Sequence, residues 1–95
     1  MSMNIPLEEL RKKIDTIDDS LLELLAKRQE IVKEVGKVKL AHGIPLFDEK
    51  RKKEILEKKM AQAEALKLSK EFVGKLYDLI HDHFLDLQKK ASSGK

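Results

Sequence analysis

From Leu7 to Val38 the apolar residues step by three and four: Leu7, Leu10, Ile14, Ile17, Leu21, Leu24, then Ile31, Val35 and Val38. That spacing is the seam of one amphipathic helix, and no strong breaker interrupts it before Gly43 and Pro45. Gly36 lies inside it, tolerated but weakening. Pro6 suits a first helical turn, and Glu8 and Glu9 suit the positive end of the helix dipole. The helix is therefore predicted from around Pro6 to about Ala41. Roughly 35 residues at about 1.5 Å each make a rod of roughly 50 Å. A compact chain of 95 residues has a radius of gyration of only about 12–13 Å. The rod outruns what the rest of the chain can cover, yet its seam is apolar at both ends. An intertwined homodimer, two rods side by side with each shorter helix covering part of the partner, satisfies this. So does an extended antiparallel coiled-coil dimer with no site, and only the polar residues can separate the two.

Beyond the turn, Asp48 can cap a second helix that carries Ile55, Leu56, Met60 and Ala63 inward. The chain turns again around Leu66–Ser69, with Ser69 as a further N-cap and Leu68 and Val73 placed as a hydrophobic staple. A third helix then carries Phe72, Val73, Leu76, Ile80, Phe84 and Leu87 inward to about Lys90. The expectation is an all-α domain over residues 5–90, with one very long helix and two shorter ones, and a frayed tail over 91–95. Charged residues make up 39% of the chain in a mixed pattern typical of exposed helix faces. With no cysteine there is neither a disulfide frame nor a thiolate metal site. No 18-residue apolar run exists and the start lacks the apolar core of a signal peptide, which predicts a soluble cytoplasmic protein with no membrane partner. The net charge of +3 is spread along the chain, without a basic face carrying interleaved aromatics, so nucleic acid is not an expected partner.

One charge breaks the seam. Arg28 stands where the spacing calls for a leucine. A guanidinium there stays charged, and leaving it buried and unpaired is expensive, so it meets a carboxylate of the protein or an anionic ligand. With Leu7 as heptad position a, Arg28 is also an a, while Arg11 and Lys39 fall at e, beside the seam. Lys39 follows Arg28 by three turns, nearly in line, so both side chains can converge on one small anion. Arg11 precedes Arg28 by about 25 Å of helix axis, too far to reach the same ligand within one chain. In an antiparallel dimer the partner's Arg11 can approach, which makes a site shared between subunits. Asp48, Arg51 and Ile55 share one face of the second helix, and Gln88 flanks the apolar stripe of the third. Together these form a set of cations, an amide and one carboxylate suited to a small dianion bearing hydroxyl or ether oxygens. Taken singly, Arg11, Lys39 and Arg51 fit ordinary surface side chains, Asp48 fits a cap, and Gln88 alone says almost nothing.

The other polar residues point nowhere specific. His81 and His83, two apart on a helix, face different sides and cannot chelate one metal; His83, near the stripe, reads as a half-buried packing residue. The basic run Lys50–Lys53 is diluted by Glu49 and Glu54 and reads as a solvated helix face. There is no glycine-rich phosphate loop, nucleophile elbow or Cys/His constellation.

In this order the residues resemble the all-helical class of chorismate mutases. The likeness spans roughly Leu7 to Gln88 and rests on Leu10-Arg11-Lys12-Lys13-Ile14-Asp15 with Ile17-Asp18, Leu25-Ala26-Lys27-Arg28, Val35-Gly36-Lys37-Val38-Lys39, Pro45 with Asp48 and Arg51, and Gln88. Single pieces are weak, and the full series at these separations is strong. The resemblance implies an intertwined homodimer with two shared sites, catalysing the Claisen rearrangement of chorismate to prephenate in aromatic amino-acid biosynthesis, with no metal and no cofactor. It also implies roles. Arg28 and the Arg11 of the partner chain would bind the two carboxylates, Lys39 and Gln88 would address the ether oxygen, Asp48 would hold the ring hydroxyl, and Arg51 would organise the carboxylate end. Two positions depart from the pattern: Lys52 stands where many members carry a glutamate for the ring hydroxyl, and Phe84 where a small hydroxyl residue is common. Phe84 narrows the pocket and removes a donor. Two further readings stay open beside the mutase. One is an isochorismate pyruvate-lyase on the same scaffold, and the other a non-catalytic regulatory or dimerisation domain of an aromatic-pathway enzyme.

Overall fold

A computed structural model describes residues 7–93. The expected helix start at Pro6 and the last two residues of the expected tail, Gly94 and Lys95, lie outside them. The described residues form three helices, α1 (Leu7–Ala41), α2 (Glu49–Ala65) and α3 (Lys70–Ser93), and no strand. The chain divides into two parts, one ending at Ile31 and one beginning at Val32, described in turn.

The first part, as far as it is described, is α1 alone. Its seam residues Leu7, Leu10, Ile14, Ile17, Leu21 and Leu24 are between 49% and 65% exposed within the single chain. Ile31, at the end of this part, is 63% exposed. Such a stripe on an isolated helix leaves its apolar area in water, so the predicted seam is present and uncovered.

In the second part the end of α1 is fixed by its stop chemistry. Gly43 adopts a left-handed backbone with φ 66°. Its N–H donates to the Leu40 carbonyl at 3.3 Å, while the Ile44 N–H donates to the Lys39 carbonyl at 2.8 Å. These two bonds satisfy carbonyls that a helix end otherwise leaves open. Asp48 then caps α2: its carboxylate accepts from the Arg51 N–H at 3.0 Å, as expected of a carboxylate three residues ahead. At the far end of α2 the same left-handed stop recurs, with the Leu68 N–H donating to the Ala63 carbonyl at 2.8 Å. Here the left-handed position holds Lys67 at φ 61° instead of a glycine. Ser69 caps α3, its hydroxyl accepting from the Phe72 N–H at 3.1 Å.

A lysine in the left-handed region carries a Cβ clash that glycine lacks, worth about 1–2 kcal/mol, against about 0.5–1 kcal/mol of extra unfolded-state freedom for glycine. Lys67→Gly should therefore stabilise the protein and raise Tm by a few degrees. Thermal unfolding followed by circular dichroism checks this, and a lowered Tm would contradict the reading of the turn.

α2 and α3 pack along the face predicted for α2. Ala63 is 2% exposed, and Val73 and Phe84 on α3 are each 6% exposed, with Ile55, Leu56, Met60 and Ile80 half-buried around them. Lys52 pairs with Asp78 at 3.8 Å and the Lys59 ammonium lies 5.8 Å from the centre of the Tyr77 ring; such surface contacts contribute little each. Phe72, expected inward, is 59% exposed, and Leu76 is 38% exposed. The stripe on α3 is wider than one neighbouring helix covers. α3 also runs to Ser93, past the expected stop at Lys90, because no breaker precedes Gly94. His81, not His83, is the half-buried imidazole. Its ring meets Phe47 edge-on at 5.9 Å, while His83 is exposed with one edge toward Phe84 at 5.1 Å. No described helix is long and apolar enough to cross a membrane.

Candidate active site

The last turns of α1 place Val32, Gly36 and Lys39 at i, i+4 and i+7, one above the other on a single face. Gln88 of α3 packs onto that face. It is 9% exposed, a buried polar side chain that needs a partner. The partner is the Val32 carbonyl, to which the Gln88 Nε2 donates at 2.8 Å. A helical carbonyl has a second lone pair for such a bond. The close approach is possible because residue 36 is glycine, the buried residue of α1. A Cβ placed there would lie 3.2 Å from Gln88 Cγ and 3.5 Å from its Nε2.

One turn further, Lys39 is half-buried and its Nζ donates to the Leu46 carbonyl at 3.0 Å. That bond ties the segment after the turn back onto α1. An ammonium has three N–H groups, so two remain beyond the one given to Leu46; the Gln88 amide has one N–H beyond that given to Val32. Held on one stretch of α1, these donors suit oxygen acceptors of a bound molecule. Asp48 and Arg51 are both exposed and joined through the cap that starts α2.

The second part of the chain thus carries Lys39, Asp48, Arg51 and Gln88, and the first part carries Arg11 and Arg28. Arg11 is exposed, whereas Arg28 is half-buried on its helix, matching its place on the seam. Of the two departures, Lys52 is engaged with Asp78 of α3, and Phe84 belongs to the α2–α3 core. Three participants escaped the sequence reading: the Val32 carbonyl, the Leu46 carbonyl and Gly36. Backbone acceptors leave no mark in a sequence. Gly36 did leave one, since a glycine mid-helix costs about 1 kcal/mol against alanine and signals that a close neighbour requires it.

The fold is a small all-helical one whose long helix bears Arg11, Arg28 and Lys39 and receives the Gln88 side chain from α3. Comparison with known proteins gives the family. Residues 10–89 match the family described as chorismate mutase type II. The chorismate mutase of Methanocaldococcus jannaschii is 33% identical over 84 residues, which cover 88% of this chain and 85% of that one. The T-protein of Haemophilus influenzae is 40% identical over 82 residues, 86% of this chain and 20% of the relative. A bifunctional chorismate mutase/prephenate dehydratase of Escherichia coli is 39% identical over 80 residues, 84% of this chain and 21% of the relative. The solved chorismate mutase (Form II) from Thermus thermophilus superposes with a TM-score of 0.84 at 30% identity, covering 90% of this chain and 97% of that one. The chain belongs to the chorismate mutase type II family. It spans about a fifth of the length of the T-protein and of the bifunctional relative.

Proposed function

We propose that this chain is a chorismate mutase, a homodimeric isomerase that rearranges chorismate to prephenate. The observation that carries the reading is the placement of the Lys39 ammonium, bonded to the Leu46 carbonyl just after α1, and of the Gln88 amide, bonded to the Val32 carbonyl of α1, in a chain of this family. The reaction is unimolecular. The ether C–O bond breaks as a C–C bond forms, and no atom is gained or lost. A protein accelerates it by selecting the folded, diaxial-like conformer and by placing positive charge where the ether oxygen gains electron density. In this proposal Lys39 and Gln88 donate to that oxygen. Arg28 and the Arg11 contributed by the other subunit hold the two carboxylates, Asp48 accepts the ring hydroxyl, and Arg51 orders the carboxylate end. Donors already bonded to the backbone need little reorganisation when the charge develops, which favours the transition state over the bound substrate.

The dimer rests on the uncovered seam. Covering a leucine or isoleucine fully is worth roughly 1.5–3 kcal/mol. Seven such side chains, each about half exposed in the single chain, represent on the order of 10 kcal/mol. That is a large fraction of the stability of a small domain, so a second copy supplying the same seam is a strong driving force. Size-exclusion chromatography with light scattering should give about twice 10.9 kDa; a monomer at micromolar concentration would remove the dimer from the proposal. Incubating the chain with chorismate and, separately, with isochorismate tests the activity. Prephenate supports the proposal, salicylate and pyruvate would replace it with a lyase, and no turnover would overturn it.

A further inference from the structure

We infer that Gly36 is a positioning residue: together with the Val32 carbonyl it seats the Gln88 carboxamide in one orientation and one depth, and so sets where Gln88 presents its free N–H. The inference rests on the proposed mutase reaction for its kinetic consequence, but not for its geometry.

Two constraints act on the amide. The first fixes which end faces α1. Val32 offers a carbonyl oxygen, so the nitrogen end of the amide must face it, as the 2.8 Å bond shows; turning the amide over would set two oxygens against each other. The second fixes depth. With glycine at 36, Gln88 Cγ lies where it would be 3.2 Å from a Cβ at that position, closer than side chains ordinarily tolerate. Alanine would push the Gln88 stem outward by a few tenths of an ångström and stretch or break the bond to Val32. A serine or any larger residue would push it further. Glycine is otherwise a poor choice in this place, since alanine improves helix propensity by about 1 kcal/mol.

Gly74 of α3 provides an internal comparison. It too is a glycine within a helix, but a Cβ there would meet Met60 Sδ at 3.7 Å, an ordinary contact. Gly74→Ala should therefore be accepted. Two glycines of similar setting thus separate into one that is replaceable and one that is occupied by a neighbour's side chain.

The test is a double-mutant cycle on the full chain, with Gly36→Ala, Gln88→Ala, the pair, and Gly74→Ala as control. Gln88→Ala should lower kcat on the order of 100-fold, as loss of an oxyanion-type donor does. Gly36→Ala should lower kcat roughly tenfold with KM changed less, because a displaced donor matters most where charge develops. In the Gln88→Ala background, Gly36→Ala should change kcat less than about twofold, since a seat has no effect without its occupant. Gly74→Ala should leave kcat unchanged. An equal loss from Gly36→Ala in both backgrounds, or no loss in the wild-type background, overturns the inference. The side-chain amide resonances of Gln88 in a proton–nitrogen spectrum give a readout independent of turnover. They should shift in Gly36→Ala and stay in place in Gly74→Ala. If the wild-type chain does not turn over chorismate the mutase proposal fails, and the amide shift alone then decides whether Gly36 seats Gln88.

Discussion

Lys39→Ala should lower kcat by on the order of 100-fold or more while leaving the dimer assembled. The reason lies in what the ammonium meets at each stage of the proposed reaction. In the ground state the ether oxygen is a weak acceptor, and an N–H donor gains little from it. In the transition state that oxygen carries developing negative charge, and a cation in a water-poor setting gains far more. The loss should therefore fall on kcat and only slightly on KM. Lys39 also has a structural bond, from Nζ to the Leu46 carbonyl at 3.0 Å, so alanine removes a tie worth about 1 kcal/mol as well. Lys39→Met separates the two effects. It keeps the aliphatic stem and removes every donor, so it should lose as much rate as alanine with better packing. Steady-state kinetics with chorismate, alongside thermal unfolding, checks both variants. Near-normal turnover in either would contradict the role given to Lys39.

Mixing Arg11→Ala subunits with Arg28→Ala subunits should recover activity that neither variant has alone. Each homodimer lacks one arginine in both sites. In a mixed dimer with sites shared between subunits, one site lacks both arginines and the other has both. Random exchange makes about half the dimers mixed, and half of their sites intact, so equal mixing should return about a quarter of wild-type activity per site. The recovery should grow with time as subunits exchange, and mass spectrometry of isotopically labelled chains reports that exchange separately. If exchange is demonstrated and no activity returns, each site draws both arginines from one chain and the shared-site proposal fails.

The architecture was legible because it is written in periodicity and punctuation. The seam from Leu7, the stop at Gly43 and Pro45, and the caps at Asp48 and Ser69 are local features, and each predicts its element without reference to the rest of the fold. The inward face of α2 was also legible, since Ile55, Leu56, Met60 and Ala63 are its covered residues. What the pattern does not encode is how much of a stripe one neighbour can cover. Phe72 and Leu76 lie on the stripe of α3 yet remain exposed in the single chain. Nearness to the stripe suggests a half-buried His83, yet the half-buried imidazole is His81, on another side of the helix, where Phe47 from the segment before α2 meets it edge-on, a contact that periodicity does not encode. Among the candidate site residues, Arg28 stood out because it broke a strong pattern. Lys39 and Gln88 drew their meaning from the series as a whole, and the carbonyls that hold them belong to Leu46 and Val32, whose side chains gave no hint. Lys67 is the opposite case. Glycine is the residue expected at a left-handed helix stop, and its absence hid the turn's geometry, although the turn itself was placed correctly.

Lys39 serves the chain twice. Its carbonyl receives the Ile44 N–H that terminates α1, and its ammonium grips the Leu46 carbonyl two residues later. The turn after Ala41 and the aim of the ammonium are consequently one mechanical unit. Any side chain at Gly43 would strain its left-handed backbone, and that strain would be felt as a mis-aimed charge as well as a weakened turn.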